Sequence, residues 1–107
     1  MNKSEALSIL SDIANAAIQL RDECKPNEHL AHARWSSVAR EASYIKNDLC
    51  ATVGEAEEAR MLRVFNLFIE TGAVRRVAEL RGTERVRAAV EAANAKWDAI
   101  CAKYAAL

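Results

Sequence analysis

The two histidines, His29 and His32, stand three residues apart beside Glu28. That spacing lets one helix present two imidazoles to a metal ion. No cysteine or second carboxylate completes a four-ligand set next to them in sequence, so surface histidines are the expectation, with no metal and no cofactor. Glu55, Glu57 and Glu58 cluster where a helix starts, and negative charge there complements the helix dipole without further role. General acid–base chemistry needs carboxylates in a desolvated cleft, and nothing apolar surrounds these three in sequence. A phosphate-binding glycine loop, a nucleophile elbow and a Cys–His pairing are all missing from the sequence. The expectation is a protein that is not an enzyme.

The residues with most to offer are arginines. Between Arg60 and Arg87 lie Arg60, Arg63, Arg75, Arg76, Arg81, Arg85 and Arg87. The whole chain is neutral, with 15 basic and 15 acidic residues, which argues against a strongly basic nucleic-acid binder. The charge is unevenly laid out. Residues 1–58 carry a net of −4 and residues 59–107 a net of +4. Two helices joined at Gly82, with Val77 and Ala78 before it, have the layout of a helix-turn-helix, whose arginines would reach phosphates. The pattern breaks downstream, where Thr83, Ala88 and Glu91 occupy positions that such a motif fills with core residues. A solvated arginine face, or one that meets an acidic protein, is the better reading, with the helix-turn-helix as its alternative.

Five helices must position these residues. Asn2 with Glu5 makes a capping box for the first, whose stripe is Ala6, Leu10, Ile13, Ala17, Leu20 and Cys24, widened by Leu7, Ala14 and Ile18. Lys25-Pro26-Asn27 ends it. A second helix over about 27–50 repeats the +4/+3 spacing through Ala31, Trp35, Val38, Ala42, Ile45 and Leu49. Thr52 and Glu55 pattern a capping box for a third helix that closes at Gly72. A short fourth helix fits residues 73–81, stopped by Gly82. Thr83 then caps a fifth that runs nearly to the end. These predict one all-α domain over residues 1–107, an irregular bundle of four long helices and one short one.

The third and fifth helices carry more than a core face. Residues 61–69 are apolar almost all round, which marks a central helix or one covered by another molecule, with Leu67 and Phe68 as candidate anchors. The fifth has a core stripe of Val86, Val90, Ala93, Trp97, Ile100, Tyr104 and Leu107. Opposite it runs a line of small residues, Ala88, Ala92, Ala95, Ala99, Ala102 and Ala106. Ala88, Ala92, Ala95, Ala99 and Ala102 would let a second helix approach closely, as in a homodimer, or are simply good helix formers. The cysteines, Cys24, Cys50 and Cys101, are odd in number. Cys24 and Cys50 fall at opposite ends of a helix about 30 Å long, too far for a disulfide. Reduced thiols are expected, in a soluble cytoplasmic protein: no apolar stretch is long enough to cross a bilayer and MNKSEALSIL lacks a signal peptide's apolar region.

Two stretches, Glu5-Ala-Leu-Ser-Ile-Leu-Ser-Asp-Ile13 and Ala95-Lys-Trp-Asp-Ala-Ile-Cys101, resemble segments of small phage-encoded anti-CRISPR proteins acting on type I-E systems. The resemblance covers 16 of the 107 residues. It implies a non-enzymatic inhibitor, working in the bacterial host cell, that binds the crRNA-guided surveillance complex or the helicase-nuclease it recruits. No binding residues carry over from it. The expectation for mechanism is protein–protein binding through Arg60, Arg63, Arg75, Arg76, Arg81, Arg85 and Arg87, anchored by Leu67 and Phe68.

Overall fold

Asn2 opens the first helix as the sequence predicts: its Oδ1 accepts the Glu5 N–H at 2.8 Å and its Nδ2 donates to the Glu5 carboxylate. A computed structural model describes residues 2–81 and 84–106, and inside the last helix the side chains at 90, 93, 94, 96–98, 100 and 104 lie outside the described residues. Within these bounds the chain is all-α: α1 Lys3–Asp22, α2 His29–Cys50, α3 Glu55–Ile69, α4 Gly72–Leu80 and α5 Glu84–Ala105, folded as a single helical domain.

α1 and α2 form the backbone of the bundle. Lys46 Nζ donates to Ser11 Oγ and Lys3 Nζ to Thr52 Oγ1, so as one residue number rises its partner's falls, and the pair is antiparallel. Ala6, Ala17, Ala39 and Ala42 are buried between them, small enough to bring the helices close. The α1 stripe is buried from Ala6 to Leu20, with Cys24 half-buried. Ile9 and Ala16 join it, whereas Ile18 is exposed. In α2, Trp35, Val38, Ala42 and Leu49 are buried, with Ile45 packed against them.

Three boundaries differ from the sequence reading: the start of α2, the start of α3 and the end of α3. α2 starts at His29 rather than near Asn27, because the Glu28 side chain accepts the Lys25 N–H and holds residues 25–28 as a turn. Thr52 does not cap α3: its Oγ1 donates to the Leu49 carbonyl and accepts from Lys3. Gly54 opens α3 instead, at φ +87, a backbone region open to glycine at little cost, and Glu57 reaches back to the Val53 N–H. Gly72 does not close α3. It is the first residue of α4, whose N-cap is Thr71, with Oγ1 accepting from the Val74 N–H. The α5 cap expected at Thr83 and the turn glycine Gly82 lie outside the described residues.

α3 enters the core through Met61, Phe65, Phe68 and Ile69, α4 through Val74, Val77 and Ala78, and α5 through Val86 and Ala89. Val86 begins the stripe expected for α5; its other members, at 90, 93, 97, 100, 104 and 107, lie outside the described residues. The small-residue line does not: Ala88, Ala92, Ala95, Ala99, Ala102 and Ala106 are all exposed. Among the described residues no helix is long and apolar enough to cross a membrane.

Candidate functional site

At about 100° per residue, Arg60, Arg63, Val64 and Leu67 fall within an arc of about 100° on α3, and Met61, Phe65, Phe68 and Ile69 within a second arc on the opposite side. The second arc is the core face. The first points outward: Leu67 is 63% exposed, Val64 37%, and both arginines are exposed. Phe68 is therefore not an anchor, contrary to the sequence reading. It is 6% exposed and packs with Phe65, one turn away, in the core. An apolar run shows that a helix has two apolar sides, not which one the bundle covers. Packing of α3 against its neighbours decides that, and it chooses Phe68 over Leu67.

The arginines divide by what holds them. Arg81 pairs with Glu23, the C-cap of α1. Arg85 pairs with Asp12 and donates to Ser8 Oγ, both on α1. Arg76 pairs with Glu79 at 3.3 Å along α4. The Arg87 Nε–H donates to the Ala78 carbonyl at 3.3 Å, tying α5 to α4. Arg75 is exposed and not without a partner. Arg60 and Arg63, by contrast, make no hydrogen bond or ion pair among the described residues. Arg60 lines a shallow depression with Asp48 and Glu57, whose carboxylates stand outside ion-pair distance.

Of the predicted arginine surface, then, the structure leaves two guanidiniums uncommitted, and they share the outward side of α3 with the exposed Leu67. An arginine with an unfilled fork of donors next to a desolvatable leucine can take a carboxylate and an apolar contact together. The arginines of α4 and α5, which a helix-turn-helix would aim at phosphates, are largely spent on partners within the chain.

The histidine cluster has one neighbour that sequence spacing did not suggest. Cys24, Lys25, Pro26, Glu28, His29 and His32 line one depression at the α1–α2 connection. The chain turn at Pro26 brings Cys24 back beside Glu28, a signal readable only once the turn is known. The Cys24 thiol donates to the Leu20 carbonyl, and partial burial raises its pKa, followed by the negative charges of Glu28 and Glu23. A thiol held protonated is a poor metal ligand and a slow nucleophile. Among the described residues no group of three or more His, Cys, Asp or Glu side chains is arranged to hold a metal ion. All three cysteines are free thiols, with Cys50 and Cys101 exposed.

Sequence reasoning also passed over four exposed apolar side chains: Leu30, Tyr44, Val53 and Leu80, at 89%, 62%, 83% and 45%. Tyr44 sits one residue before Ile45, off the buried stripe of α2, which is the signal that would have found it. No protein-family model, curated protein or solved structure matches this chain.

Proposed function

We propose that this chain is a non-enzymatic inhibitor that acts by binding another protein, and that its target is a component of a type I CRISPR system, either the crRNA-guided surveillance complex or the helicase-nuclease that complex recruits. The observation that carries the binding part is the outward face of α3, where Leu67 and Val64 stand exposed on the same side as the uncommitted Arg60 and Arg63. The target system is carried by the resemblance of residues 5–13 and 95–101 to small phage-encoded anti-CRISPR proteins.

The physical division of labour follows from the residue types. Arginine charge steers an acidic partner and fixes its orientation, chiefly through the association rate. Affinity has to come from an apolar anchor at the centre of the contact, and Leu67 offers about 1–2 kcal/mol if a partner buries it fully. That is too little alone. A stable contact covers roughly 800 Å² per partner, so the interface must extend beyond α3. Arg75 and Arg76 on α4 are the next basic residues along the chain, and the exposed Arg76–Glu79 pair is weak enough to yield to a better acceptor. Inhibition then needs no catalysis. A protein of this size seated on a working surface of the complex, in the cytoplasm of the bacterial host, blocks it sterically.

The test is plaquing. A phage targeted by an active type I-E system should form plaques on cells expressing the protein and fail to do so on cells without it. Equal plaquing in the two strains overturns the proposal.

A further inference from the structure

Two ion pairs tie the end of α4 and the start of α5 to α1 and its C-cap, and both use arginines of the basic half against carboxylates of the acidic half. Arg81, the C-cap of α4, pairs with Glu23; Arg85, in the first turn of α5, pairs with Asp12 and leans on Ser8. The pairs flank the α4–α5 connection and run antiparallel to α1: from 81 to 85 the partner moves from residue 23 back to residues 12 and 8. Both are on the surface. The side chains are 42% and 46% exposed in the first pair and 57% and 21% in the second. Exposed pairs of this kind are weak and screened by salt, so a competing carboxylate can replace either partner without unfolding anything.

We propose that Asp12 and Glu23 act as an internal competitor, holding Arg85 and Arg81 against α1 until the carboxylates of an acidic partner displace them. The contact is autoinhibitory: α1 and its C-cap engage two of the seven arginines between residues 60 and 87 in the free protein. This rests on the reading that the surface takes an acidic protein. The two ends of each pair then have opposite effects on binding, although a purely structural pair would give them the same sign.

The experiment uses the full chain and fluorescently labelled poly-L-glutamate at low salt, followed by anisotropy. The double variant D12N/E23Q should bind between about twofold and twenty-fivefold more tightly than the native chain, given at most about fivefold per exposed pair. R81Q/R85Q should bind more weakly than the native chain. E41Q/E55Q changes two exposed carboxylates that hold no arginine and matches the charge change, so it isolates the effect of total charge. Equal tightening by D12N/E23Q and E41Q/E55Q overturns the proposal, as does no tightening at all or no binding by any variant. Should D12N/E23Q lose its circular dichroism signal, E23Q alone, whose pair is exposed at both ends, carries the same expectation at up to about fivefold. Tightening by D12N/E23Q with no effect of the native chain on phage plaquing leaves this inference standing and removes the CRISPR reading; the reverse pattern does the opposite.

Discussion

Replacing Leu67 or Phe68 by alanine tests which side of α3 faces the core, and the two neighbours should behave in opposite ways. Phe68 is 6% exposed and packs beside Phe65, so truncation removes a buried ring and leaves a cavity. Such changes cost about 3–5 kcal/mol. A chain of this length has about 5–15 kcal/mol of stability in total, so Phe68→Ala should remove about a fifth or more. At about 4 °C or more per kcal/mol, Tm should fall by at least about 12 °C. Leu67 is 63% exposed, so little more than a third of its surface is covered in the native state. Taking about 2 kcal/mol for full burial, Leu67→Ala should destabilise by less than about 1 kcal/mol. Urea titration followed by far-ultraviolet circular dichroism reads both. Equal losses for the two variants would refute the assignment of Phe68 to the core face and Leu67 to the outside.

Three further outcomes follow from local geometry. Gly54→Ala should destabilise by about 1–2 kcal/mol through backbone strain alone, since φ is +87 and an added Cβ meets nothing within 4 Å; thermal melting checks it. Asn2→Ala should cost about 1 kcal/mol and Thr71→Ala only about 0.5, because the first cap bond is 2.8 Å and the second a long 3.4 Å; urea midpoints rank them. Cys24 should react with iodoacetamide more slowly than Cys50 near neutral pH, and speed up as pH rises. Its half-buried thiol is raised in pKa and holds less thiolate at any given pH below that point, whereas Cys50 is exposed; peptide mass mapping over time gives the order.

The parts of the fold legible in sequence are those set by short-range periodicity. The stripes of α1 and α2 are read directly because each buries one side only, and the Asn2–Glu5 start is legible because the residues that make it are adjacent. The start of α3 is not, because Thr52 has two competing offers: capping a helix, or joining the Leu49 carbonyl and the Lys3 ammonium that α1 supplies from 49 residues away. A capping pattern carries no information about Lys3. Gly72 misleads similarly, since a glycine after an apolar run suits a helix end, and only Thr71 beside it turns the position into a start.

The site was legible in composition and not in detail. The cluster of arginines between 60 and 87 is plain in the sequence, but the commitment of Arg81 and Arg85 depends on carboxylates 58 and 73 residues away, at the C-cap of α1 and on α1 itself. Spacing cannot anticipate such pairs. It does anticipate that Arg60, Arg63 and Leu67 share a face, because three and four residues are one helical turn. The charge asymmetry of the chain acquires a structural meaning: part of the positive half is neutralised by the negative half across the α1 contact, while Arg60 and Arg63 on α3 keep no partner among the described residues.

The central claim is that α3 presents the binding surface. The measurement that meets it most directly is the plaquing efficiency of a targeted phage on CRISPR-active cells expressing R60E/R63E, with the fold of the variant verified by circular dichroism. Both residues are exposed and without partners among the described residues, so the fold should be unaffected while protection of the phage is lost. Plaquing as efficient as with the native chain would contradict the account.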